Sequence, residues 1–149
     1  MNSAPPGAFL LGAIMAHTVT VTKLLDGAKN AAFHIFIKSD GASADLTDYV
    51  VIDPAISFDP NLKNKPVMTV EEIYYDLTGF DAYLEFDYLL SDTPLWAMSG
   101  NQYAEAEFDC VGGLKDRSNE LDGTGKLQIT TSGLTAGKFG SIIIKVRKD

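Results

Sequence analysis

Apolar and polar residues alternate one by one along most of this chain, in short runs broken by Gly and Pro. A period of two is that of an extended strand, whose successive side chains point to opposite faces of a sheet. Phe80 to Tyr88 is the clearest run: Phe80, Ala82, Leu84, Phe86 and Tyr88 share one face, and Asp81, Tyr83, Glu85 and Asp87 the other. The first set belongs in a core and the second in water. Thr18, Thr20 and Thr22 alternate with Val19 and Val21, and Tyr49 to Ile52 is a compact β-rich run. Ala32 to Lys38 carries Phe33, Ile35 and Ile37 on one side and His34 and Phe36 on the other. Apolar groups on both faces predict a central strand, or one covered by another subunit. Between Val67 and Leu77 the phase changes, because Met68 and Val70 share one parity and Ile73, Tyr75 and Leu77 the other. A β-bulge at Glu71 and Glu72 would produce that switch.

Further strands are expected at Leu95 to Met98, Tyr103 to Cys110, Lys126 to Thr131 and Phe139 to Val146. Turn pairs such as Asp26-Gly27, Asp53-Pro54, Ser99-Gly100, Asp122-Gly123 and Ser132-Gly133 separate the runs. Leu114 to Asn119 has room for one helical turn, and no stretch supports a long amphipathic helix. The pattern predicts an all-β protein: an antiparallel β-sandwich or jelly roll of about eight to nine strands. Residues 17–149 form its single domain, preceded by an extended N-terminal arm, 1–16. A chain of 149 residues suits one such domain.

The arm opens with Pro5, Pro6 and Gly7, which resist regular structure, and continues with an apolar stretch from Ala8 to Ala16. That stretch is too short to span a bilayer. It also lacks the preceding basic residue and small-residue cleavage site of a secretory signal, since the first cation is Lys23 and Ile14 is bulky. Met15 is an alternative start, with residues 1–14 an appended arm. Phe9, Leu10, Leu11 and Ile14 need burial, either on the domain itself or on a neighbour, and both readings stay open.

Other interface candidates lie within the strands. Ile142, Ile144 and Val146 suit the core, which leaves Phe139 and Ile143 on the opposite face, as Phe36 is on its own strand. Apolar residues on the second face of a sandwich strand point to contacts between subunits. Trp96, beside Pro94, reads first as a core aromatic; an interface anchor and a sugar-stacking platform are the other readings.

Charge narrows the partners. Twelve basic residues against twenty acidic ones give a net charge of −8, which opposes binding to nucleic acid or to anionic membranes. Cys110 is the lone cysteine, so no intrachain disulfide can form. It continues the alternation of Ala104, Ala106 and Phe108 and reads as a small core residue rather than a nucleophile served by His17 or His34.

Motifs of chemistry fail one by one. Gly123-Thr124-Gly125-Lys126 lacks the preceding Gly and following Ser or Thr of a phosphate loop, and reads as a hairpin turn. Asp40, Asp45, Asp48 and Asp53, and Asp116, Glu120 and Asp122, crowd loops without the regular spacing of a calcium loop. Nothing singles out a facing carboxylate pair among Glu71, Glu72, Glu85, Glu105 and Glu107. The expectation is therefore a non-enzyme with no catalytic, cofactor-binding or metal residue.

The segments HTVTVTKLLDGAKNAAFHIFIKSDG (17–41), VEEIYYDLTGFDAYLEFDY (70–88), TPLWAMSG (93–100) and GKLQITTSGLTAGKFGSIIIKVRKD (125–149) together resemble head decoration, or cement, proteins of tailed bacteriophages, which have a jelly-roll fold. The likeness is one of overall texture and covers nearly everything after residue 16, while the arm departs from it. It implies a virion structural protein on the outer capsid surface. Such a protein is a homo-oligomer, a trimer or a dimer, that binds the major capsid protein and stabilises the head. The alternatives are a carbohydrate-binding β-sandwich, using Trp96 with Tyr83 or Tyr103, and a phage tail or baseplate component.

Overall fold

The protein is described by a computed structural model at residues 17–41, 44–58, 67–88, 93–117 and 123–149. The arm and its Phe9, Leu10, Leu11 and Ile14 lie outside the described residues. Among the described residues, ten strands follow in order: β1 (Thr18–Asp26), β2 (Asn30–Lys38), β3 (Tyr49–Ile52), β4 (Met68–Thr78), β5 (Asp81–Tyr88), β6 (Thr93–Met98), β7 (Gln102–Glu107), β8 (Leu114–Lys115), β9 (Gly123–Ser132) and β10 (Phe139–Lys148). One helical turn, α1 (Pro54–Ser57), follows β3. The Asp53 side chain caps it by accepting the Ala55 N–H at 3.0 Å, and Pro54 fills its first position.

All ladders are antiparallel, and they form two sheets. The larger runs β1-β2-β10-β4-β7, with β8 also paired to β4, and the smaller runs β3-β9-β5-β6. The all-β sandwich expected from the alternation is what the chain adopts.

Between the sheets lies one core. Phe33, Ile35 and Ile37 of β2, Ile142, Ile144 and Val146 of β10, and Ile73, Tyr75 and Leu77 of β4 line it from one side. Ala82, Leu84 and Phe86 of β5 and Leu127 and Ile129 of β9 line it from the other. Burying each large aliphatic or aromatic side chain contributes roughly 1.5–3 kcal/mol, which is what holds the two layers together.

The phase change in β4 is a bulge. Lys145 pairs with Glu72 and Val146 with Val70, so Glu71 is the extra residue. Its carbonyl accepts the Phe108 N–H at 2.8 Å. This is where the neighbouring edge breaks into β7, opposite Glu72 to Leu77, and β8, opposite Thr69 and Val70.

Four local expectations are corrected. Cys110 is exposed rather than in the core. The alternating set ends at Phe108, after which Asp109–Val111 forms a 3-10 turn that carries the cysteine outward. Gly123 to Lys126 is the start of β9 and not a turn, because Gly123 pairs with Tyr88 and draws the segment into the smaller sheet. Leu114 and Lys115 are a short strand rather than a helical turn, since Thr69 and Val70 offer them a ladder. Glu85 is only 9% exposed. It stands on a central strand, paired with Gln128 on one side and Pro94 on the other.

Ile143 and Ile144 test the assignment of faces, since they differ only in which way they point. Ile144→Ala should lower the unfolding free energy by about 3 kcal/mol, and Ile143→Ala by about 1 kcal/mol or less, in urea titrations. Equal losses would contradict the assignment.

Candidate protein-binding face

The outward residues of the larger sheet are fixed by the inward ones, and strand register aligns them in rows. One row reads Thr20, Phe36, Ser141, Asp76 and Tyr103 across β1, β2, β10, β4 and β7. The next reads Thr22, His34, Ile143, Tyr74 and Glu105, and Lys38 pairs with Phe139 at the near end. Phe36 thus lies diagonally between Phe139 and Ile143, within reach for aromatic and long side chains. Phe139 is 48% exposed, and Phe36, Ile143, His34 and Tyr74 are half-buried. Three of the residues expected at an interface, Phe36, Phe139 and Ile143, therefore share one patch on one face.

Polar groups frame this patch. Lys145 binds Glu72 at 2.7 Å and lies 5.7 Å from the centre of the Tyr74 ring. The Tyr74 hydroxyl donates to Glu72 at 2.6 Å. The Lys145 ammonium, and then that hydroxyl, hold the Glu72 carboxyl below its ordinary value of 4.5. The same carboxylate pushes the Tyr74 hydroxyl up, because it favours keeping the proton. On β7 a hydrogen bond shared with the Glu105 carboxyl, and then the like charge of that group, push Glu107 up. A depression of 260 Å³ opens beside Leu25, Ala32, Glu72 and Lys145, where the small Ala32 side chain leaves room. The face is thus aromatic and aliphatic in its middle and acidic along β7.

Trp96 is elsewhere. It sits on the edge strand β6 opposite Leu84, 36% exposed, with its ring edge-on to Phe108 at 4.9 Å. It closes one side of the sandwich rather than joining the patch. Sequence reasoning missed Tyr74 and the small Ala32 as members of the face. Their parity relative to Ile73 and Phe33 was the available signal.

The acidic loop residues hold turns. Asp45 accepts the Leu134 N–H at 2.8 Å, the Gly133 N–H at 3.1 Å and the Thr131 hydroxyl at 3.1 Å. Burial raises its pKa, but these donors outweigh it and leave the carboxyl below 3.8. Asp40 accepts the Thr18 hydroxyl at 2.5 Å, and Asp53 caps α1. Among the described residues, no group of three or more His, Cys, Asp or Glu is arranged to hold a metal ion. Nor is any helix long and apolar enough to cross a membrane.

Compared with protein-family models, curated proteins and solved structures, the chain matches none.

Asp45 and Glu72 have folded pKa values below their ordinary ones, so each stabilises the fold above the ordinary carboxylate range and loses that contribution on acidification. The unfolding free energy should hold from pH 7 to 5, then fall as the pH drops through 4.5 and 3.8, the ordinary Glu72 and Asp45 values. Asp45→Asn should flatten the acid limb in denaturant titrations. An unchanged slope would show that the Asp45 contacts do not discriminate charge.

Proposed function

We propose that this chain is a virion structural protein, a decoration subunit that binds the outer surface of a bacteriophage major capsid protein and stabilises the head. The observation that carries this reading is the patch of Phe36, Phe139 and Ile143 on the outward face of the larger sheet. A face with an apolar centre and a polar rim suits adhesion to another protein surface.

Connectivity adds support. β2 pairs with β10, β3 with β9, β4 with β7 and β5 with β6, so the ladders nest like one long hairpin folded over on itself. That nesting fits a jelly roll, the fold that the resemblance implies. The charge of −8 suits an outer position, because it repels packaged DNA rather than competing for it. The mechanism is additive burial: each bound copy favours the assembled shell by mass action, without chemistry. Trp96 supports a sugar platform poorly, because it packs against Phe108.

Co-sedimentation of the purified protein with expanded heads lacking it tests the proposal. Wild type should saturate the heads, and Phe36→Asp with Ile143→Glu should weaken binding by roughly 30-fold, about 2 kcal/mol for a central anchor. Circular dichroism should show the variant still folded. Heads that bind neither protein would remove the capsid from the account, and heads that bind both equally would remove the patch from it.

A further inference from the structure

We infer that the outward face of the smaller sheet docks a partner protein through an arginine side chain, whose guanidinium is received by Glu85 and Gln128. Leu84 and Phe86, and Leu127 and Ile129, point into the core, so the residues between them, Glu85 and Gln128, point outward. The two are paired across the central strands β5 and β9, which sets their side chains about 5 Å apart on one face. Both are buried, Gln128 at 6% exposure and Glu85 at 9%. Neither is satisfied. The Gln128 amide oxygen has no hydrogen-bond partner, and the Glu85 carboxylate makes no hydrogen bond or ion pair among the described residues. A buried acceptor left unmatched opposes folding, so two of them side by side call for a donor from outside the chain.

Charge decides what kind of donor fits. Lys126 is the one basic residue of β3, β5, β6 and β9, and it lies 3.8 Å from Asp53. Asp87, on the same side of β5 as Glu85, accepts the Thr124 hydroxyl at 2.6 Å and adds a second negative charge. The missing donor is therefore cationic. A guanidinium matches the pair: two parallel N–H groups fit the Glu85 carboxylate, and a third reaches sideways to the Gln128 oxygen. An ammonium carries the charge without that fixed fork. Tyr83, two residues before Glu85 on the same face, offers a ring against which the planar group can lie.

The surroundings point to a protein as the source. One row across the sheet reads Val50, Gln128, Glu85 and Pro94, and the next Thr130, Tyr83 and Ala97. Val50 and Tyr83 are each 38% exposed, and Pro94 and Ala97 are exposed as well. Apolar neighbours that exclude water from a central arginine are the arrangement of an interface anchor. From Val50 to Pro94 the row spans three strand spacings, about 14 Å, which a protein surface covers and a free amino acid does not. A second copy of this chain is a poor donor. Of its two arginines, Arg147 is bound to Glu71 and Asp149 at 2.8 Å each, and Arg117 has contacts of its own. The outward faces of the two sheets look away from each other, so a subunit seated through Phe36 and Ile143 keeps this face open.

The test titrates the full-length, isotope-labelled protein with the peptide acetyl-Leu-Arg-Leu-amide and follows the Gln128 side-chain amide signals by NMR. They should shift saturably, with a millimolar Kd. Lysine in place of the peptide's arginine should weaken binding by about 5-fold, and Glu85→Gln, which keeps size and shape, by roughly 10-fold or more. Phe36→Asp with Ile143→Glu should leave binding unchanged, which separates this inference from the capsid reading. Acetyl-arginine-amide, without the leucines, should bind more weakly than the peptide; equal binding would assign the site to a free small molecule and overturn the protein partner. A lysine peptide that binds as well as the arginine one would overturn the guanidinium, and this comparison uses the unaltered protein, so it stands even if Glu85→Gln fails to fold. Gln128 signals that do not move, or binding indifferent to Glu85→Gln, would overturn the site itself.

Discussion

Close packing between the inward rows of the two sheets is the constraint from which the rest of the molecule follows. β10 is central to it, because it lies between β2 and β4 and carries a full antiparallel ladder on each side. Ile142, Ile144 and Val146 are buried to within 1% of their surface. At Gly140 the fit is tighter still: a Cβ there would stand 2.6 Å from a Leu77 methyl and 3.1 Å from the Phe80 ring. A side chain at that point would force the layers apart, so glycine is required for contact rather than for flexibility. Once these residues point inward, Phe139, Ile143 and Lys145 have no choice but to point outward. The candidate face is thus positioned by the core, and the only freedom left to it is which side chains it carries. A sandwich needs polar residues there for solubility, so the presence of Phe36 and Ile143 is the informative departure.

The same logic explains what could be read from the chain. Parity identifies faces wherever a strand is regular, as in β5, where Ala82, Leu84, Phe86 and Tyr88 are all buried, as is Phe80 just before it. It even places the bulge at Glu71 and Glu72, because an extra residue must invert parity, and the register narrows it to Glu71. Parity says nothing about where a ladder stops. Cys110 continues the alternation in sequence, yet the edge strand has run past its bulged neighbour and curls into a 3-10 turn. Nor does it tell which strands lie side by side. That Phe36, Phe139 and Ile143 share a patch depends on β2 pairing with β10, segments about a hundred residues apart, which no local pattern reports.

The acidic residues show a second limit of legibility. In sequence, Asp40, Asp45 and Asp53 are a loop-borne crowd of negative charge, equally consistent with a solvated surface and a cation site. In the fold each has a separate task. Asp45 reaches across to residues 131, 133 and 134 and fastens the turn after β9, while Asp40 fixes the start of β1 and Asp53 begins α1. Carboxylates accept hydrogen bonds strongly, so they suit turns whose N–H groups find no ladder partner. Their density reflects how many turns a two-sheet fold has to close.

The sheets differ in width, and that difference shapes the molecule's relations with others. The larger sheet has one more full strand across it than the smaller, and β1 is the strand left over. Such an edge invites indiscriminate pairing, and β1 carries two features that oppose it. Lys23 stands on the inward side, paired with Asp26 at 3.1 Å, and a bulge between Lys23 and Leu25 breaks the regular edge. A charge and a kink discourage a long, flat strand from a foreign chain. They leave Val21 bare on the inward side of β1 and Leu25 bare on its outward side, where it pairs with Ala32. An edge guarded along its backbone in this way resists indiscriminate pairing even where its side chains are bare.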